Sequence, residues 1–270
     1  MYGAAPSQFP SRVVCLSADT TEIAFALGAG DRVVGVSGAA TRPPEARQRP
    51  KVGGFTTFRV DKILALRPDL VLASSDLQAD VVRDLVRGGL PVLALNQRSL
   101  AEVFQAILVV GGALGCPAEA RGLVTDMQDE LRQVREFSSV WPDRPRVYFE
   151  EWDEPLIAGI RWVSELIEVA GGQDVFPELR ERPEARSRIV DPGDVARRDP
   201  QVIVASWCGK RVDLEAIRRR PGWEAVEAVR TGRLYAVPSD DILAPGPSLL
   251  VGLRALHEIV QGCVADSRDS

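Results

Sequence analysis

Short apolar runs alternate with amphipathic stretches along most of the chain. Arg12–Ser17 (RVVCLS) reads as a buried strand. Thr20 or Thr21 can cap the helix after it, with Glu22 in the first turn and Gly28 and Gly30 at its end. Arg32–Ser37 is a second strand and Val60–Leu66 a short helix stopped before Pro68. Asp69–Ala73 is a third strand, Ala79–Arg87 a helix broken by Gly88-Gly89, and Leu90–Leu95 a fourth strand. A helix follows from about Leu100 to Leu114. Such alternation predicts a parallel α/β sheet.

Pro117 to Ser139 differs. It is polar and amphipathic, with Leu123, Met127, Leu131 and Val134 at helical spacing. Pro117 suits a first helical turn, and Pro142 and Pro145 close the segment. A rod of roughly 30 Å results at 1.5 Å per residue. The strand and helix pattern then restarts: Arg146–Glu150, Val202–Ser206 and Leu234–Val237 as strands, Trp162–Ala170, Leu214–Arg219 and Ser248–Gly262 as helices. A weak repeat links Ile63–Ala73 (ILALRPDLVLA) to Asp194–Ala205 (DVARRDPQVIVA). The expected fold class is α/β: two Rossmann-like lobes with mainly parallel sheets, joined by one long backbone helix. The expected division is an N-terminal lobe over 1–116, the linking helix over 117–141 and a C-terminal lobe over 142–270. A ligand would sit in the cleft of such an arrangement, near the carboxyl ends of the strands.

Composition narrows the chemistry. The 270 residues include 38 acidic and 33 basic side chains, four Cys and one His, with a net charge of −5. No long basic run offsets the acidic total, so a general nucleic-acid partner is not expected. One His leaves little room for His-based metal sites or for a Ser-His-Asp scheme, which would have to use His257. Cys15, Cys116, Cys208 and Cys263 form no C-x-x-C pair, so they read as isolated thiols. No phosphate-binding or nucleophile-elbow motif follows a strand. The paired carboxylates Glu150-Glu151, Asp153-Glu154 and Asp240-Asp241 are sequence neighbours, which on a strand point to opposite faces. No catalysis is expected. The opening MYGAAPSQFP lacks a basic and an apolar leader region, so a cytoplasmic location is expected from the sequence as written, or an extracytoplasmic one if a leader was removed. No stretch approaches the roughly 20 apolar residues of a membrane span, so no membrane insertion is expected.

Specific stretches carry a resemblance. Ala18–Ser37 (ADTTEIAFALGAGDRVVGVS), Val52–Ala73, Glu150–Gly172 (EEWDEPLIAGIRWVSELIEVAGG), Trp207–Asp241 and Pro245–Leu256 resemble the helical-backbone (class III) metal-chelate substrate-binding proteins, and within them the cobalamin-binding group. The likeness covers about Ser11 to Val260. It implies non-catalytic binding of a corrinoid, a cobalamin or cobinamide, by aromatic walls and loop hydrogen bonds, with no cofactor required. A ferric siderophore, haem, or an enzyme acting in the same cleft are the alternatives. The implied partners are a small-molecule metal chelate and an ABC permease, with the protein itself a monomer.

The ligand-contact candidates are Phe55, Phe58, Ser75, Trp152, Trp162, Trp207 and Asp241. Phe55 follows Gly53-Gly54 and faces the cleft by resemblance, whereas Phe58 could instead staple the next helix. Trp152 sits after a strand in an acidic loop, and Trp207 ends another strand. Trp162 opens a helix, where packing is an equal reading. Ser75 and Asp241 lie on loops just after strands, with Ser74, Asp76, Gln97 and Asp240 as further polar candidates. Cys208 could approach a metal as a soft ligand, against a plain reading as a thiol beside a Gly turn. Relatives dock their permease through an exposed Glu on each lobe. Asp80 and Asp194 stand nearest those places here.

Overall fold

A computed structural model describes residues 8–268. The first seven residues, which the leader reading used, lie outside the described residues. The chain folds as two compact α/β units. One comprises the chain up to Gln97 plus Ala101–Met127. The other comprises Arg98–Leu100 plus Gln128 onward.

Unit 1 is built on β1 (Val13–Cys15), β2 (Val33–Val36), β3 (Leu70–Ser74) and β4 (Val92–Leu95). They pair in the order β2-β1-β3-β4, all parallel. Helices α1 (Ala18–Ala26), α2 (Val60–Ala65), α3 (Ala79–Arg87) and α4 (Leu100–Leu114) connect and cover them. Ser17, not Thr20 or Thr21, caps α1, its hydroxyl accepting from Thr20 N. The strand ends one residue earlier than the hydrophobic run suggests, and that frees Ser17 for the cap. Val14, Leu16, Ile63, Val71, Ala73 and Leu85 form one core of the unit, with Phe58 packed against it. Helix α5 (Pro117–Ser138) runs 22 residues, as its 3.6-residue stripe requires.

Unit 2 contains β5 (Arg146–Asp153), β6 (Leu156–Ala158), β7 (Gln173–Asp174), β8 (Val202–Ala205) and β9 (Leu234–Ala236). The sheet order is β6-β5-β8-β9, with β7 beside β5. Only the β5–β6 hairpin is antiparallel. That hairpin corrects an expectation. β5 does not stop at Glu150, so Trp152 and Asp153 stand on the strand itself, with Trp152 opposite Ile157. Helices α6 (Arg161–Val169), α7 (Pro192–Arg198), α8 (Leu214–Arg218), α9 (Glu227–Thr231), α10 (Ser239–Ile242) and α11 (Leu249–Arg268) complete the unit. No helix among the described residues is long and apolar enough to cross a membrane.

The sequence repeat is a repeat of backbone geometry. Arg67 and Asp199 both adopt the left-handed region, with φ of 46° and 45°, directly before Pro68 and Pro200. Few residues other than Gly do so without strain. Both turns are clamped by an arginine at the start of the unit's first strand, Arg12 just before β1 and Arg146 opening β5. Arg12 Nε donates to the Leu66 and Arg67 carbonyls at 3.1 Å, and Arg146 Nε to the Asp199 carbonyl at 2.9 Å. The next polar residue closes each clamp: Asp69 accepts from Arg12 N at 2.8 Å and Gln201 from Arg146 N at 3.2 Å. Each clamp thus fixes the helix-to-strand turn against the sheet.

Trp223 anchors the core of unit 2. It is fully buried, its indole N–H donates to the Pro192 carbonyl at 3.0 Å, and Tyr148 meets its ring edge-on at 6.1 Å. Trp223→Ala is expected to cost about 3–5 kcal/mol, as for other buried aromatic truncations. Denaturant unfolding measures it, and a loss near zero contradicts this packing.

Candidate functional site

The carboxyl ends of the parallel strands gather buried Ser17, Ser37, Ser74 and Gln97 in unit 1, and buried Ser206 in unit 2. In unit 1 the central feature is Gln78, almost fully buried just before α3. Its Nε2 donates to the Leu16 carbonyl at 2.9 Å and to the Phe55 carbonyl at 3.0 Å, while Oε1 accepts from Ser74 N at 3.0 Å. One side chain therefore joins the ends of β1 and β3 to the Phe55 loop. Ser37 Oγ adds a bond to the Gly54 carbonyl at 2.6 Å, and Gly54 N closes the loop on the Thr57 carbonyl at 2.8 Å. Gly53 holds φ at 158°, and a Cβ there would lie 2.6 Å from Phe58 Cα. This tight loop leaves Phe55 38 % exposed. Ser75 has φ of 78° and spends its hydroxyl locally, accepting from Leu77 N and donating to Asp76.

Asp19 lies beneath the same strand ends, buried in the first turn of α1. Burial pushes its carboxyl above the usual carboxylate range, against donors from Ser17, Ser74 and Gln97. Gln97 Nε2 approaches it at 2.9 Å. Buried Cys15 is pushed up to about 12 by the same desolvation. A pocket of about 260 Å³ opens beside β4 and α4, lined by Leu95, Asn96, Gln97, Glu102, Gln105 and Val109. Small-molecule pockets run to roughly 300–1,000 Å³, so a large macrocycle would not fit within it.

In unit 2 the alternation along β5 separates its two glutamates. Glu150 is fully buried and accepts from Arg220 Nη2 at 2.8 Å and from Trp207 Nε1 at 3.1 Å; Arg220 Nη1 holds its other oxygen. Glu151 turns the other way. It takes Ile160 N at 3.0 Å and the buried guanidinium of Arg188 at 2.6 Å. The hairpin also carries a register shift between Glu150 and Trp152. Burial raises the Glu150 carboxyl above its ordinary range; Arg220 and then Trp207 oppose the rise.

Three groups sit on this charged base. Trp207 is only 4 % exposed. Trp152 is half-buried and donates its indole N–H to the Glu154 carbonyl at 2.9 Å. Lys210 Nζ lies 4.3 Å from the Trp152 ring centroid and 4.9 Å from that of Trp207, and it pairs with Asp153. Sequence reasoning missed Lys210, Arg220 and Gln78. Their roles depend on contacts far along the chain. The available signals were a lysine in an arginine-dominated sequence and a Gln four residues past a strand end.

The other expected contacts fall elsewhere. Trp162 is 5 % exposed and its indole donates to the Ile242 carbonyl at 2.9 Å, so it offers little surface to a ligand. Phe58 packs on the unit 1 core, which is the staple alternative. Asp241 is buried in α10. Asp80 is exposed in the first turn of α3 and pairs with Arg83 at 2.8 Å; Asp194, half-buried in the first turn of α7, pairs with Arg197. Cys208 is exposed, yet desolvation first and then Glu151 and Asp240 raise its thiol, which favours the neutral form and weakens it as a metal ligand. His257 stacks on Trp141 with centroids 5.3 Å apart, its Nδ1 3.3 Å from the Ala170 carbonyl. No group of three or more His, Cys, Asp or Glu among the described residues could hold a metal ion.

With this geometry in view, the chain can be set beside known proteins. The family described as periplasmic binding protein matches residues 13–240. An uncharacterized ABC transporter substrate-binding lipoprotein, YvrC of Bacillus subtilis, is 30 % identical over 93 % of this chain and 80 % of its own length. A vitamin B12-binding protein of Vibrio parahaemolyticus is 27 % identical over 93 % of this chain and 88 % of its own. The apo periplasmic heme-binding protein RhuT from Roseiflexus superposes with a TM-score of 0.81 at 26 % identity, covering 94 % of this chain and 99 % of that one. The family and these relatives are solute binders rather than enzymes, in agreement with the expectation of no catalysis. They overturn the cytoplasmic expectation: the relatives are periplasmic proteins or a lipoprotein, and the opening residues do not decide the compartment.

The Glu150–Arg220 pair yields a test with a definite sign. Arg220→Met leaves a buried carboxylate without its main partner, at a cost of about 3–5 kcal/mol near neutral pH. Without Arg220 the Glu150 carboxyl rises further, so the folded state holds its proton more tightly than the unfolded chain. The deficit against wild type should therefore be small at acidic pH and grow as pH rises through the folded value. Urea unfolding at several pH values measures it, and a pH-independent deficit contradicts the assignment.

Proposed function

We propose that this chain, which belongs to the periplasmic binding protein family, works outside the cytoplasm as the substrate-binding component of an ABC importer, and that its ligand is a corrinoid. Relatives bearing either B12-binding or haem-binding names support a metal chelate as the ligand class. The placement of His257 carries the choice within that class. Haem iron asks for an axial His, Tyr, Cys or Met. Among the described residues His257 is stacked on Trp141, Tyr148 and Met127 are buried, and desolvation raises both the Cys208 thiol and the part-buried Tyr235 hydroxyl. A corrinoid brings its own axial groups and can be held by its rim.

In this reading Phe55 supplies an exposed aromatic face on unit 1 and Trp152 a half-buried one on unit 2, while Trp207, only 4 % exposed, backs Lys210. Gln78 is a positioning residue, because it holds the Phe55 loop. Asp80 and Asp194, each in the first turn of a helix, serve as the permease-docking carboxylates.

Titration calorimetry with cyanocobalamin and with haemin separates the ligands. The expected result is sub-micromolar corrinoid binding, weaker haemin binding, and a loss of about 1–3 kcal/mol in Phe55→Ala, as for aromatic anchors buried on binding. Tighter haemin binding, or no corrinoid binding, overturns the proposal.

A further inference from the structure

The aromatic faces expected to receive the ligand are already covered by a cation. Lys210 Nζ stands over both indoles, at 4.3 Å from Trp152 and 4.9 Å from Trp207. Glu150 strengthens the arrangement from below. Its carboxylate accepts the Trp207 indole N–H at 3.1 Å, which pushes electron density into the ring that faces the ammonium. Asp153 fixes the third side of Nζ. Among the described residues Nζ makes this one hydrogen bond. An ammonium has three N–H donors, and the Lys210 side chain keeps 39 % exposure. Lys210 is also one of only three lysines against thirty arginines in the chain. An ammonium is a compact donor with rotatable hydrogens, able to exchange one oxygen acceptor for another where a guanidinium fork would stay locked.

We propose that Lys210 is a specificity-determining residue of this surface, and that it takes an anionic oxygen group on the rim of the chelate, in place of or beside Asp153. The inference rests on the metal-chelate reading above and deepens it by naming the chemistry the ligand must present. The two indoles hold the ammonium at the end of the sheet and shield it partly from water, so a rim phosphodiester or carboxylate meets a fixed charge rather than a mobile side chain. The indole faces themselves then act on the cation more than on the macrocycle. Two sources of the anion are open to test: the phosphodiester of the nucleotide loop in cobalamin, and the propionates of haem.

The experiment measures the affinities of wild type, Lys210→Gln and Lys210→Arg for four probes: cyanocobalamin, dicyanocobinamide (which lacks the phosphodiester), haemin and haemin dimethyl ester. The expected result is at least a tenfold loss for Lys210→Gln with the anionic member of whichever pair wild type binds. The member without the anion should change less than twofold, and Lys210→Arg should recover part of the loss. Selective loss with cyanocobalamin assigns the phosphodiester; selective loss with haemin assigns the carboxylates. Equal loss for both members of a pair, or no loss for either, overturns the role of Lys210 while leaving metal-chelate binding intact. Failure of wild type to bind any of the four overturns the underlying reading and this one with it.

Discussion

A buried carboxylate within β5 is the constraint on which the surface of unit 2 depends. Glu150 has no exposure, so it must be compensated inside the protein. Arg220 answers its charge and Trp207 takes a further lone pair. The consequences spread in two directions. Arg220 also lies 4.7 Å over the Trp223 ring and so ties the pair to the core. Trp207 is held at its N–H edge and leaves its face to Lys210. Charges and rings alternate from the core outward, and each layer fixes the next. A pair of this kind contributes little net stability compared with apolar packing of the same volume. Its value lies in position: it decides where an indole and, through it, an ammonium can stand.

Unit 1 reaches a comparable end by neutral means. Gln78 does for the Phe55 loop what Glu150 does for Trp207, with an amide in place of a carboxylate. A primary amide donates and accepts, so it satisfies carbonyls from two segments and one N–H without burying charge. The charge buried near it is Asp19, whose raised proton affinity follows from the same desolvation. The units share the arginine clamp on a left-handed residue before proline, yet their strand ends have diverged in chemistry.

The fold was largely legible because it rests on local periodicity. Ala79–Arg87 and Leu100–Leu114 have the expected bounds, and the long helix ends at Ser138 rather than Ser139. The repeat over Ile63–Ala73 and Asp194–Ala205 was visible as composition, and its meaning as a shared turn was not. The β5–β6 hairpin escaped because Asp153-Glu154-Pro155 looks like the end of a structured segment. The candidate site was legible only in part. Phe55 stands exposed at the tip of its loop, whereas Trp162 is buried and Trp207 faces a cation. Trp says nothing by itself about which of its surfaces is free. Lys210, Arg220 and Gln78 each also need a partner 23 to 70 residues away, and no single-sequence pattern encodes those meetings.

In the proposed mode the chelate is held by its rim, and no side chain among the described residues coordinates its metal. The visible absorption spectrum of the complex with aquacobalamin tests this most directly, since the corrin bands report the upper axial ligand of cobalt. Rim-held binding predicts a bound spectrum that keeps the water-ligated form, identical in wild type, His257→Ala and Cys208→Ala. A band shift on binding in wild type that disappears in either variant would contradict it.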